Sequence, residues 1–307
     1  MIVQGSRIIA AGSGVATPTG ATVIDLGDVT LMPGLIDAHT HLLQNYDPKI
    51  GGDDPNMILT VATMSAAKRA LLGAKMGRED LEAGITTVRD LGNSGYNGDV
   101  ALRDAINAGW VVGPRIRAST RALSAAGGQF GPLQADAQRL IDQEYVVISG
   151  VEEARRAVRQ AFYDGADVIK VIVNTGTRGV SLEEMKTIVE EATRVNRPVA
   201  AHAIGDVATR IAAEAGVSSI KHAYTVPDDV LRMMAKKRIF LVPVRRLHRR
   251  TGRSDEGHRR SGARRDLRHE EWIDREAVAG SPTRGSRTHR VSSSASRSSP
   301  CRHRLRR

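Results

Sequence analysis

Cysteine is nearly missing from this chain: among 307 residues there is one, Cys301. A disulfide framework is therefore excluded, and the usage fits a reducing compartment. Aromatic residues make up only 3%. That is too few for a platform on which single-stranded nucleic acid could stack. No apolar run approaches the roughly 20 residues that span a bilayer. The N-terminus shows no charged segment followed by an apolar core, so no signal peptide is visible. These absences lead us to expect a soluble, cytoplasmic protein with no membrane partner.

Lysine is missing too, but only from one region. Residues 245–307 hold 19 Arg, no Lys and 7 acidic residues, a net of +12. The whole chain is +11, so residues 1–244 carry 11 − 12 = −1. The basic character thus belongs to the tail. The near-neutral remainder gives no reason to expect nucleic acid as a partner. The tail is rich in Arg, Ser, Gly and His and has no apolar periodicity. It reads as a basic tail for nucleic acid or a membrane surface, as simple disorder, or as a reading-frame shift in a GC-rich gene. The frameshift fits best, because the change of vocabulary falls inside a strand pattern. On every one of these readings residues 245–307 form no packed domain.

The length suffices for one large barrel or two ordinary domains. Residues 2–9 and 21–26 alternate loosely between Gly and Pro punctuation and read as short strands with turns. Residues 42–55 read as a Gly- and Asp-rich loop, and 57–77 as one helix with Ala, Leu and Met at helical spacing. Strands then fall at 86–91, 115–120, 167–173, 199–203, 219–224 and 239–244. Helices between them fall at 98–108, 151–164, 182–196, 207–215 and 228–237. Ser181 with Glu184 makes a capping box for the helix at 182. Gly165 and Gly216 suit helix stops. Alternating strands and helices imply a parallel sheet. With the strand at 35–38 there are seven, one fewer than a closed (β/α) barrel has.

The histidines divide between these regions. His39, His41, His202 and His222 each lie at the end of a short apolar run. The other five lie in the tail. His39 and His41 are two apart, so on a strand they share a face and make half of a divalent-metal site. A bare His-x-His is weak evidence, since core histidines produce it as well. Four histidines, all at strand ends on the face where barrel active sites sit, are a stronger sign of chemistry.

The block Met32-Pro-Gly-Leu-Ile-Asp-Ala-His-Thr-His41 resembles the first barrel strand of the amidohydrolase superfamily of metal-dependent hydrolases. Gly84-Ile-Thr-Thr-Val-Arg-Asp-Leu-Gly92, Gly113-Pro-Arg-Ile116 and Gly165-Ala-Asp-Val-Ile-Lys-Val171 are similar to its imidazolonepropionase-like and Xaa-Pro dipeptidase branch. So are Val199-Ala-Ala-His-Ala203 and Ala215-Gly-Val-Ser-Ser-Ile-Lys-His222. The resemblance covers residues 2 to 244. It implies an α/β fold: a TIM barrel, incomplete at about seven strands, over residues 31–244. Residues 1–30 would be part of a small β-sandwich, and the chain would begin late within it.

For the site, the resemblance implies that His39 and His41 hold a more buried Zn²⁺. His202 and His222 would hold a second, more exposed ion. Lys170 would bridge the two as a carbamate. A lysine inside an apolar strand otherwise snorkels to solvent or pairs with a carboxylate, and burial beside cations lowers its pKa. A metal-bound water would attack the carbonyl carbon of a C–N bond in an Xaa-Pro-like dipeptide or a related amide or cyclic amide. The family's proton carrier is an Asp at the end of strand eight. No such stretch is present, and Asp255, Asp266 and Asp274 stand in Arg-rich contexts without a strand pattern. The catalytic base is therefore unassigned, and an inactive remnant is the alternative reading. Tyr224 is a candidate substrate contact. Arg89 and Asp90 could touch a substrate but read better as a structural ion pair, and Gly127–Gly131 reads as a flexible loop at the site end that could cover it, though glycine loops are common. The partner is a small-molecule substrate, and a homo-oligomer is compatible with the sequence.

Overall fold

The computed structural model describes residues 1–243. The tail from 245 onward, and the last residue of the seventh strand pattern, lie outside the described residues. The chain opens with an antiparallel hairpin, β1 (Ile2–Gln4) and β2 (Arg7–Ala10). The strand expected at 21–26 is absent. Val23 and Ile24 are 71% and 77% exposed, and with no neighbouring strand to pair with, their alternation alone does not fix an extended conformation. β3 (Leu35–Thr40) then starts the barrel wall.

Where one helix was expected at 57–77 there are two, α1 (Asp53–Thr63) and α2 (Ala66–Glu82). Met64 is extended, and the Ser65 side chain accepts a hydrogen bond from the Lys68 amide, capping a fresh helix. A serine cap inside an apolar-periodic run stops one helix and starts the next. β4 (Ile85–Asp90) and α3 (Gly98–Asn107) follow, then β5 (Arg115–Ala118) and β6 (Ala122–Ser124).

β5 and β6 are the two halves of one broken strand. The break sits at Thr120, whose φ of 61° is left-handed. It is held by the buried Asp99 carboxylate on α3, which accepts from the Ser119 amide at 2.9 Å and the Thr120 amide at 2.8 Å. The lower half pairs with β4 and the upper half pairs across to the next wall strand. The sequence pattern showed only one strand, at 115–120.

Beyond the break come α4 (Gln138–Glu144), β7 (Tyr145–Val147), α5 (Val151–Tyr163) and β8 (Ile169–Ile172). A small hairpin, β9 (Asn174–Thr175) with β10 (Arg178–Gly179), precedes α6 (Leu182–Arg194). The capping box of Ser181 and Glu184 opens α6 as expected. β11 (Val199–Ala203), α7 (Asp206–Ala215), β12 (Ser219–His222), α8 (Asp228–Lys237) and β13 (Phe240–Val242) complete the described fold.

The parallel strands form two sheets, β3-β4-β5 and β13-β12-β11-β8-β6-β7. The Asp167 amide donates to the Ala118 carbonyl at 2.7 Å and joins them at the strand break. The wall therefore has the seven strand positions that the pattern predicted. Among the described residues it is not closed. β3 pairs only with β4, and β13 only with β12. Ile36 and Phe240, on these two edges, are 71% and 74% exposed.

Period-two alternation sorts the wall residues. Ile169 and Val171 of β8, Val199 and Ala201 of β11 and Ile220 of β12 join the core under α5, α6 and α7. Lys170, His202 and Lys221 occupy the alternate face.

Candidate active site

His39 and His41 stand at the C-terminal end of β3. Their rings are 5.0 Å apart between centroids. His202 is on β11, and His222 ends β12. His222 lies one step from Lys221, so alternation alone would turn it toward the helix layer. Its φ of 66°, followed by 43° at Ala223, rotates it back into the barrel mouth. Its ring lies 5.0 Å from that of His39 and 4.5 Å from that of His202. Lys170, 2% exposed, places Nζ 3.3 Å from His39 Nε2. All five expected metal-site residues thus line one pocket of about 330 Å³.

Burial disfavours the protonated forms throughout this cluster. Desolvation, then the positive charge of Lys170, lowers His41 and His222 to about 4. The same causes hold His39 and His202 well below the usual imidazole range. Desolvation, then the nearby Lys221 and Arg89 charges, lowers Lys170 to about 7. At neutral pH the imidazoles carry free lone pairs, and a large share of Lys170 is free amine.

The tautomer of His41 is set by its hydrogen bond. Nδ1 lies 2.9 Å from the Gly92 carbonyl, which can only accept, so Nδ1 carries the proton and Nε2 is left as a lone pair. His39 Nδ1 is buried with no partner. Gln129 Nε2 lies 3.2 Å from His202 Nδ1. Among the described residues no group of three His, Cys, Asp or Glu side chains is already placed to grip an ion. The donor chemistry nevertheless fits a divalent cation: four neutral imidazoles and a partly neutral amine share one pocket, and one ring nitrogen lacks any partner.

The rest of the wall is Gln44, Tyr46, Met57, Met76, Asn93 and Gln129. No carboxylate lines the pocket among the described residues. Tyr224 is outside this wall. It is 52% exposed, with its hydroxyl 3.5 Å from His222 Nδ1.

The expected Arg89–Asp90 ion pair does not form, because neighbours on a strand face opposite ways. Arg89 Nη1 donates to Ser219 Oγ at 3.1 Å across the barrel. Asp90 is fully buried on the other side, where desolvation, then the charge of Asp99, pushes its carboxyl well above the usual range. There it accepts from the Leu42 amide and anchors the turn after His41.

The Gly127–Gly131 loop is clamped, whereas a flexible loop was expected. Arg178 on β10 donates to the Ala126 and Phe130 carbonyls at 2.6 and 2.7 Å. A Cβ on Gly128 would sit 2.2 Å from the Tyr145 ring, so that glycine serves close packing. Two features carry no role in the sequence reading. Lys221 is a second fully buried lysine, its Nζ without a hydrogen-bond partner. Arg69 donates to the Leu43 carbonyl, the Asn93 carbonyl and Glu144, tying together three segments around the pocket.

Parallel strands alternating with helices, with the five candidate side chains gathered at the C-terminal mouth, define a (β/α)-barrel scaffold. The amidohydrolase family profile matches residues 30–260, and the chain belongs to that family. It is 35% identical over 241 residues to ochratoxinase of Aspergillus niger, covering 70% of this chain and 48% of that protein. It is 27% identical over 266 residues to imidazolonepropionase of Paracoccus denitrificans, covering 76% and 64%. Among solved structures, an Xaa-Pro dipeptidase with bound methionine superposes with a TM-score of 0.59 at 30% identity, covering 69% of this chain and 53% of that one. The chain thus spans about half the length of the ochratoxinase it matches.

Proposed function

We propose that this barrel hydrolyses the C–N bond of a small amide, either the peptide bond of an Xaa-Pro-like dipeptide or a related amide or cyclic amide. The observation that carries the reading is the meeting of His39, His41, Lys170, His202 and His222, largely uncharged, in one pocket at the strand ends. His39 and His41 would hold one Zn²⁺, and His202 and His222 a second. Such an ion supplies a nucleophilic water at neutral pH and polarises the substrate carbonyl.

The chain's own residues do the rest. The Gly92 carbonyl fixes the His41 tautomer. The free amine of Lys170 adds to the carbon of carbon dioxide, forming an N–C bond and releasing one proton to solvent. The resulting carbamate offers two oxygens where an ammonium would repel cations. Met57, Met76 and Tyr46 shed water from the pocket wall. Tyr224 would meet the substrate at the rim beside His222. A single cysteine in the whole chain fits a reducing, cytoplasmic setting.

A second reading, an inactive remnant, is favoured by one observation: no described carboxylate reaches the pocket. A positioned base contributes roughly 10²–10⁴-fold in rate. One experiment separates the two. The chain is expressed with zinc and bicarbonate and assayed on a dipeptide and amide panel, beside a version restored in frame with the downstream strand and its Asp. Turnover by both supports the hydrolase as written. Turnover only by the restored version supports the remnant. Turnover by neither refutes the proposed reaction.

A further inference from the structure

The largest cavity among those described is not at the histidines. It lies at the opposite, N-terminal end of the strands, between the C-terminal ends of α3 and α5, and measures about 780 Å³. Four guanidinium groups line it: Arg103, Arg115, Arg117 and Arg197. Only two carboxylates, Asp104 and Asp167, stand against them.

Those carboxylates are already engaged. Asp167 Oδ2 accepts from Arg103 at 2.8 Å and from the Ala118 amide at 3.2 Å. Asp167 Oδ1 has Arg197 at 3.5 Å and Arg117 at 3.7 Å, both long contacts. Asp104 accepts from Arg103 Nε at 2.9 Å. Arg103 also donates to the Gly165 carbonyl, which ends α5. Arg103 is therefore a structural brace.

Arg197 is held only by one long hydrogen bond, from Nη1 to Asp167 Oδ1 at 3.5 Å, and the other two are less engaged still. Arg115 makes no hydrogen bond or ion pair with any described residue, and Arg117 has only its 3.7 Å approach. The Asn107 amide and Thr87 hydroxyl, on the same wall, are also without partners. An ordinary surface arginine is single and solvated. Here a concave wall concentrates unused N–H donors of fixed fork geometry, with a surplus of two positive charges over its two carboxylates.

We propose that this cavity is a binding site for a phosphate-bearing small molecule, with Arg115, Arg117 and Arg197 as its arms. Guanidinium forks match the paired oxygens of phosphate, and several in one cleft multiply the attraction. Asn107 and Thr87 would donate to the remaining oxygens. Phe162 and Ile116 supply the apolar wall behind them. The site is separate from the histidine pocket and shares no residue with it.

The test must locate binding within the chain, because the tail holds 19 further arginines. The full chain is treated with phenylglyoxal, which modifies accessible guanidines, and the rate at each arginine is read by peptide mass spectrometry. Three additions are compared at equal ionic strength: inorganic phosphate, glycerol 3-phosphate and chloride. Arg156, exposed on α5 with no described partner, is the internal reference. We expect phosphate or its ester to slow modification of Arg115 and Arg117 by roughly tenfold relative to Arg156. Protection by inorganic phosphate points to the free ion, and protection by the ester alone to a phosphorylated metabolite. Arg197→Gln should raise the concentration needed for half-protection of Arg115 several-fold. Equal rates in phosphate and chloride, protection of Arg156 to the same degree, or no effect of Arg197→Gln would overturn the proposal.

Discussion

The two ends of this barrel treat charge in opposite ways. At the C-terminal mouth, His41 and His222 are lowered to about 4 and Lys170 to about 7, because desolvation strips their protons. At the base, Arg115, Arg117 and Arg197 stay exposed. Both sets belong to one parallel wall, the mouth residues on or at the end of β3, β8, β11 and β12 and the arginines on β5 and just before β11, so the difference is one of burial and residue type. A buried base becomes a lone-pair donor suited to a cation. An exposed guanidinium remains a donor suited to an anion.

The contrast can be broken hardest at the mouth. Replacing His39 or His202 by Ala should weaken zinc binding by more than the ~10–100-fold typical of a residue that only orients a ligand. Equilibrium dialysis against zinc measures it. Next in size is Arg69→Ala. Arg69 and Glu144 are 3% and 1% exposed, and removing one member of a buried pair costs about 3–5 kcal/mol. Urea unfolding should show that loss as a lower midpoint. The effect should be smaller for Arg69→Ala with Glu144→Ala together, since no lone charge is left behind.

How far the sequence alone led follows from the same physics. β8, β11 and β12 were legible because alternation and strand-end histidines occur within a few residues of one another. His222 reaches the mouth only through a left-handed backbone turn that no pattern announces. The break between β5 and β6 was not legible. Asp99 makes it from 21 residues away in sequence. The Ser65 cap stood in plain view inside the run read as one helix. Lys221 obeys the same alternation as Lys170, and its burial follows from the closeness of β12 to its neighbours, which no local pattern encodes. Arg69 and Glu144 are separated by 75 residues, beyond any local rule.

A smaller effect sharpens the comparison through pH. In the metal-free protein His41 and His222 have folded pKa values of about 4 against 6.5 unfolded. The unfolded chain therefore binds more protons between those values. Stability should be full above pH 6.5 and fall as the pH drops toward 4, by on the order of 3 kcal/mol from His41. His222 is less buried and should add less. Urea midpoints at pH 7 and pH 5 check this, and replacing His41 by Asn should flatten the difference. The smallest effect is at the base. Arg115→Gln with Arg117→Gln should change stability by less than about 0.5 kcal/mol, since neither side chain is engaged in packing or short ion pairs.

The claim that His39, His41, Lys170, His202 and His222 form one metal site is tested most directly by metal content. The full chain and a His39→Ala/His41→Ala/His202→Ala/His222→Ala variant would be dialysed against the same zinc and bicarbonate solution and weighed for zinc per chain. Both retain the five tail histidines, so the difference isolates the barrel mouth. The account predicts at least one more zinc per chain in the unsubstituted protein. Equal zinc in the two, with both chains folded by circular dichroism, would contradict it.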